Sequence, residues 1–388
     1  VNGETVAQLA ERGVLYVVDG NHGADRPRRD EFVDEGTPFV RSADMRDGLV
    51  DLEATEKINR IALKRIRKGF GLPGDALLAH KGTVGRVAVI PTDAVEFVCS
   101  PQTTLWRSLD ESQLDQRYLS AFLRSPALER QLNQCMNESD MAPYVSLTNQ
   151  RAFTVPMPEI DVQRRIGQLI GDIDTLIRLS RRTADVAEAL AALLFEHRFI
   201  HSDLAGEQRS LRGVADFVNG RNFTKAATGT GRVVIRIAEL KNGPTESTIF
   251  NEVQAPNKHV ADPGDILFAW SGSLGVYRWA HPQAVVNQHI FKVLPAAGIP
   301  AWFVYLHLQR AMPRFRRIAE DKATTMGHIK REHLDEYVMT VPHGDTFDGH
   351  DDIRGLYELA HLKRKQALRL LRLSELLIPK LFSGLRAA

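Results

Sequence analysis

The stretch PGDILFAWSGSLG at 263–275 gathers glycines, two serines and Trp270, residue types used to cradle phosphates or to present a serine nucleophile. A phosphate loop needs G-x-x-x-x-G-K-[ST], so that backbone amides surround the phosphates while the lysine reaches the terminal one. A related stretch, HKGTVG at 80–85, has the order Lys-Gly-Thr instead. A nucleophile turn needs G-x-S-x-G, and SGSLG lacks that spacing. Glu320 and Lys322 in EDK match the E-x-K fragment of metal-dependent nucleases, but without a suitably placed upstream Pro-Asp they read as a solvated charged turn. His197 and His201, four apart, could share a metal on a helix, yet no H-E-x-x-H accompanies them and helix-end histidines suffice. Cys99 and Cys135 are far apart, have no metal-like spacing, and suit a reducing compartment. A methyltransferase would need a Gly-rich cofactor loop and an Asn/Asp-Pro-Pro-aromatic tetrapeptide, and neither occurs. The expectation is a chain with no catalytic residues, metal or cofactor of its own.

Binding chemistry is better represented. NRIALKRIRK at 59–68 holds five basic side chains and no acid, and 309–331 concentrates Arg310, Arg314, Arg316, Arg317, Lys322, Lys330 and Arg331 around small polar residues. Such patches release counterions from a phosphate backbone; charged faces that merely stay wet are the plainer alternative. Lys81 in one stretch and Trp270 with Ser271 in the other lie between turn glycines, as His80 does beside Lys81. Gln and Asn can pair bidentately with adenine, Arg and Lys with guanine. Gln102, Gln288, Arg221 and Asn222 are therefore candidates to read bases, although a glutamine at matched positions in two halves serves a scaffold equally well.

The elements that would position these residues occur twice. PGDALLAHKGTVG at 73–85 aligns without a gap with 263–275, sharing Pro, Gly, Asp and the glycine pairs Gly82/Gly272 and Gly85/Gly275. The shared glycines suit hairpin turns with positive φ, leaving the residues between them to vary. Upstream, PFVRSADMRDG at 38–48 parallels VVIRIAELKNG at 233–243, matching Arg41 with Arg236. Downstream, SPQTTLW at 100–106 parallels VNQHIFK at 286–292, matching Gln102 with Gln288. FTVPMP at 153–158 and VMTVPHG at 338–344 each precede a long helical pattern, in which Ile170, Ile173, Leu176, Leu179, Leu190, Leu193, Leu194 and Phe199 align with Ile353, Leu356, Leu359, Leu362, Leu373, Leu376, Leu377 and Phe382. A helix over 162–199, N-capped by Asp161, would be about 55 Å long. Two such stripes most simply bury each other, and antiparallel packing would set two globules about one and a half duplex turns apart. The 388 residues thus divide into 1–157, a helix at 158–204, 205–342 and a helix at 343–388, with shorter helices at 115–136 and 300–320. The fold class is α+β, two tandem mixed domains each followed by a long helix, the helices paired as an antiparallel coiled coil. With 43% hydrophobic residues the chain can form real cores, and 50 basic against 48 acidic residues leaves any attraction to nucleic acid to local patches. No apolar run of about 18 residues and no signal pattern is present, which points to a cytoplasmic chain outside membranes.

In this arrangement the chain resembles the DNA-specificity subunits of type I restriction-modification enzymes. FVNGRNFTKAATGTGRVVIRIAELKNG at 217–243, followed by PGDILFAWSGSLG and VVNQHIFKV, is similar to one target-recognition domain of that family, as is 19–48 with PGDALLAHKGTVG. LLRLSELLIPKLFSG resembles the family's helix ending, while HGDTFDGHDD is an insertion before the second helix. The resemblance implies a non-catalytic subunit that recognises a bipartite double-stranded DNA target. Its helices would set the half-site spacing and dock two DNA adenine-methyltransferase subunits, with endonuclease/translocase subunits joining for cleavage. Different side chains on equal scaffolds imply an asymmetric target. The DNA-binding candidates are Arg41, His80, Lys81, Gln102, Arg221, Asn222, Arg236, Trp270, Ser271, Gln288, Arg316, Arg317, Lys322 and Lys330. A protein-binding adaptor with a coiled-coil spacer is the alternative.

Overall fold

The computed structural model describes residues 3–136, 144–202, 205–225, 227–320 and 327–384. It forms two compact units, 1–178 with 369–388, and 179–368. Compactness therefore divides the chain differently from the four sequence segments, because each long helix contributes to both units.

In the first unit a six-stranded sheet runs Leu15–Asp19, Thr103–Ser108, Ala76–Ala79, Val87–Val89, Gly48–Val50, Met45–Arg46. A second sheet runs Phe32–Val33, Lys57–Ile58, Thr37–Val40, Phe97–Cys99, Phe70–Gly71. The other unit keeps the same core orders, Ala215–Asn219, Ile290–Pro295, Ile266–Ala269, Gly275–Arg278 and Phe250–Asn251, Arg232–Ile235, Ala284–Val286, Val260–Ala261. In both, the strand ending at Val40 or Ile235 pairs in parallel with the one after the hairpin. The repeat is thus a repeat of topology as well as of sequence.

Alternation along the strands assigns the faces. Leu267 and Ala269 pack with Ile235, Trp279, Val286 and Ile290 in one core. Ile266 and Phe268 turn the other way, into a core with Phe303 and Phe315 of the helix Ala301–Glu320. The shared PGD motif now has a structural account. Gly74 and Gly264 take φ +87° and +107°, while Asp75 accepts from Leu72 N at 2.6 Å and Asp265 from Asp262 N at 2.7 Å. Each carboxylate also holds a cation from the neighbouring strand, Arg107 at 2.6 Å and Lys292 at 2.7 Å. Gly82, Gly85 and Gly272 have positive φ as expected, but Gly275 is in a strand, where a Cβ would lie 2.6 Å from the Tyr277 hydroxyl.

The first long helix spans Ile160–Phe195 and continues as a π-helical turn, Glu196–Ile200; the second spans Asp351–Gly384. Asp161 lies inside the first turn, where it faces the helix dipole, and is not the N-cap. In the first unit Gly167 lets the helix close on the N-terminus of Gln116–Leu123, since a Cβ there would meet Asp115 Oδ1 at 2.4 Å. Arg124 grips Asp174 through two bonds of 2.9 and 2.7 Å, and Phe382 stacks on Tyr118 at 5.4 Å. In the second unit the helices run antiparallel. Arg198 pairs with Asp352, Arg364 with Asp185 and Glu188, and Ala184, Ala187 and Ala360 form the small-residue contact between them. The expected burial of the leucine stripe is corrected here: Leu176, Leu179, Leu190, Leu193, Leu362, Leu373 and Leu376 are exposed, whereas Ile170, Ile173, Phe199, Ile353 and Phe382 are buried. The helices meet through alanines because these allow close approach, and that geometry turns the leucines outward. From the inserted segment, Phe347 packs on Trp302 and Phe303.

Gly20 and Gly220 follow matched strands against backbone carbonyls, where a Cβ would lie 2.2 Å from Cys99 O and 2.0 Å from Asn287 O. Gly20→Ala and Gly220→Ala are each expected to cost about 1–3 kcal/mol in denaturant unfolding, the range for forced overpacking; wild-type stability in either variant would contradict these contacts. In the second unit His307 is buried between Phe195 and Phe303, and burial pushes its pKa down to about 3. An unfolded histidine titrates near 6.5, so the unfolded state takes up a proton first and this contribution to stability is lost as pH falls from about 6.5 toward 3. His307→Phe is expected to flatten that acid limb in pH-dependent unfolding; an unchanged pH profile would refute the assignment.

Candidate nucleic-acid interface

The C-terminal ends of four strands meet along one edge in each unit: Asp19, Val40, Ala79 and Cys99 in the first, Asn219, Ile235, Ala269 and Val286 in the second. Strand register matches them residue by residue. Asp19 lies opposite Thr104 and Asn219 opposite Phe291, while Ala79 lies opposite Thr103 and Ala269 opposite Ile290. This register corrects the glutamine pairing by one residue. Gln102 corresponds to His289, as shown by the parallel bonds from His80 N to Gln102 O at 3.0 Å and from Trp270 N to His289 O at 3.1 Å. Gln288 is the neighbour of that position, so a shared-glutamine scaffold role falls away.

In the second unit a continuous set of backbone bonds joins most of the candidates. Gln288 N donates to Arg221 O at 3.1 Å, Trp270 N to His289 O, and Ile329 N to Trp270 O at 3.0 Å, with Lys330 next in the chain. Arg221, Asn222, Gln288 and Lys330 are exposed. The Asn222 carbonyl oxygen accepts from the Thr224 hydroxyl at 2.7 Å and from Lys225 N, which shapes the loop. Trp270 is half-buried, stacked on Phe291 at 5.7 Å, and its indole donates to Asn219 Oδ1 at 2.9 Å. Ser271 is buried and bridges to His328. These two are therefore mainly the floor of the edge, not probes displayed above it. His289 holds φ +73°, a strained conformation for a non-glycine residue at the centre of the edge. Burial, followed by the charges of Arg221 and Lys258, pushes the nearby His259 imidazole down, as a cationic surface would.

In the first unit Lys81 and Gln102 are exposed, and Lys81 lies over the exposed Tyr144 ring at 5.9 Å. His80 is a correction. It is buried, with its ring nitrogens 3.0 Å from Val145 O and 3.1 Å from Pro101 O, and so cannot reach a ligand without unfolding the turn. The basic run at 59–68 forms the helix Arg60–Arg65, capped by Asn59. Arg65 is spent on Glu31 at 2.5 Å, while Arg60, Lys64 and Arg67 stay exposed. Asn21 ties this run to the edge, donating to Lys68 O at 2.5 Å and accepting from Arg67 N at 3.0 Å.

Arg41 and Arg236 occupy matched positions, each in an ion pair with the acid three residues on: Arg41 with Asp44 at 3.4 Å, and Arg236 with Glu239 at 2.6 Å. Burial opposes ionisation of Glu239, but the bonds from Arg236 outweigh it and hold its pKa below the ordinary value. These arginines close their own turns. Arg316 and Arg317 are exposed on Ala301–Glu320 with no ion-pair partner among the described residues; Arg310 and Arg314 are paired with Glu196 and Glu336. Lys322 lies outside the described residues. Among the described residues no group of three or more His, Cys, Asp or Glu side chains is placed to hold a metal, and no helix is long and apolar enough to cross a membrane.

Sequence reasoning took Lys68 only as part of the basic run at 59–68 and missed Lys258; the two precede the matched strands Phe70–Gly71 and Val260–Ala261. The signal was present, since the alignment of the PGD motifs extends upstream to this pair. Tyr144 was missed, and His328 was read only as part of the small polar loop within 309–331, because their match, as bridging partners of Lys81 and Ser271, exists only in the fold.

The chain is similar in fold to the type I restriction-modification S subunit from M. genitalium, at 12% identity and a TM-score of 0.51, covering 99% of this chain and 95% of that one. The HsdS subunit from Thermoanaerobacter tengcongensis is 16% identical, covers 99% and 96% of the two chains, and superposes with a TM-score of 0.37. Comparison with curated proteins gives no match. The family model of the type I restriction modification DNA specificity domain matches residues 17–189, which take in the first strand-end edge.

Proposed function

We propose that the chain is the non-catalytic specificity subunit of a type I restriction-modification complex and reads a bipartite, asymmetric double-stranded DNA target. One observation carries the reading. The same strand-end edge is built twice, on the same ladder, with different exposed side chains: Lys81, Gln102 and Arg67 on one, Arg221, Asn222 and Gln288 on the other. A repeated scaffold with unequal donors suits two unlike half-sites. The long helices fit a spacer between half-sites. Their exposed leucines fit docking surfaces for two DNA adenine-methyltransferase subunits, onto which endonuclease/translocase subunits would assemble in the cytoplasm.

Purified protein is expected to methylate no DNA alone, and to direct sequence-selective adenine methylation once its methyltransferase partner and S-adenosylmethionine are added; mapping methylated sites reads the target. A reconstituted complex that binds random duplexes without sequence preference would replace this reading with that of a protein-binding adaptor. Arg316→Ala with Arg317→Ala is expected to weaken binding to all sequences alike. It should also reduce the slope of log K against log salt, by about 0.9 for each phosphate that is no longer neutralised. An unchanged slope would remove these two arginines from the interface.

A further inference from the structure

The two edges differ at one matched pair that governs a cation. In the first unit the Asp19 carboxylate accepts from Lys68 Nζ and, at 2.7 Å, from the His22 ring. Asp19 is itself nearly buried, so Lys68 is drawn toward the protein and its charge is neutralised. In the second unit the matched residue is Asn219, which has no charge and accepts the Trp270 indole N–H at its Oδ1. Lys258 is exposed there, with no carboxylate within ion-pair distance among the described residues. The swap is coupled to a second one. An indole N–H at position 270 needs an acceptor, and Asn219 supplies it. His80, in the matched position, has a backbone carbonyl beside each ring nitrogen, so its N–H is taken there whichever tautomer it holds, and it leaves Asp19 to hold Lys68. The pairs Asp19/His80 and Asn219/Trp270 are thus alternative solutions on one scaffold.

We propose that the residue at the matched positions 19 and 219 sets whether the following edge lysine contacts DNA phosphate: Lys258 is a phosphate contact of the second recognition edge, and Asp19 withholds Lys68 from the same role in the first. This rests on the DNA-binding reading above. The half-sites are then gripped with unequal charge, the second edge carrying one more available cation. Neutralising Asp19 frees its lysine, because it leaves the asparagine that this fold already carries at the matched position.

The test uses the full chain in complex with its methyltransferase partner, on a duplex bearing the mapped target, with the slope of log K against log salt as readout. Lys258→Ala is expected to make the slope about 0.9 shallower, and Lys68→Ala to leave it nearly unchanged. Asp19→Asn is expected to make it steeper by a similar amount, and Lys68→Ala in the Asp19→Asn background to return it to the wild-type value. Equal reductions from Lys68→Ala and Lys258→Ala in the wild-type background, or an Asp19→Asn slope identical to wild type, would overturn the proposal while leaving DNA recognition intact. If none of these variants, nor Arg316→Ala with Arg317→Ala, changes DNA binding, the proposal fails together with the reading on which it rests.

Discussion

Everything at the two strand-end edges depends on how closely a strand end can approach the backbone beside it. At Gly20 and Gly220 the chain passes so near the carbonyls of residues 99–100 and 286–287 that no side chain fits. Across that contact the loop after the first strand is tied to the second sheet, through Asn21 to residues 67–68 before Phe70–Gly71 in one unit and through Arg221 to Asn287, just past the parallel strand, in the other. Two sheets in each unit are thereby tied at one end, and the side chains beyond the tie are free of ladder duties. A ladder residue alternates between core and solvent by the pleat, whereas residues past the last rung answer only to their own loop. Variation is cheapest there, and the two edges differ most there.

The long helices show how a small contact can govern a large surface. Ala184, Ala187 and Ala360 bring the two helices together without bulky interdigitation, and Arg364 with Asp185 and Glu188 fixes their antiparallel register. Leucines that an isolated pair of stripes would have buried are left outside. An exposed row of leucines costs solubility, and on the proposed reading it is the docking surface for partner subunits. The helices also serve the globules directly, through Phe195 and Phe199 in one unit and through Asp174, Gly167 and Phe382 in the other.

Electrostatics divides the basic residues into two sets. Arg41, Arg65, Arg107, Arg124 and Arg236 are committed to carboxylates, and their guanidinium forks brace turns and helix contacts. Arg60, Lys64, Arg67, Lys81, Arg221, Lys258, Arg316, Arg317 and Lys330 remain at the surface. Composition cannot separate the sets, because a sum of charges contains no distances. This is why the near-neutral balance of 50 basic and 48 acidic residues is compatible with cationic edges.

Much of this was legible in the sequence. Repeated PGD motifs, glycine spacing and apolar periodicity identified the duplicated scaffold, the hairpins and both long helices, since turn-formers and helical stripes act through local backbone preferences. The motif spacings also argued against a phosphate loop and a serine elbow, whose chemistry is written into a few consecutive residues. Tertiary structure decided the rest. It slid the second-half partner of Gln102 from Gln288 to His289, because strand register is settled by ladder bonds between distant segments. It buried His80 between two carbonyls, made Trp270 part of a core, and set Lys68 against Asp19 while leaving Lys258 in solvent. Those outcomes turn on which atoms lie within a few ångströms across gaps of many residues, and only the closed fold brings such atoms together.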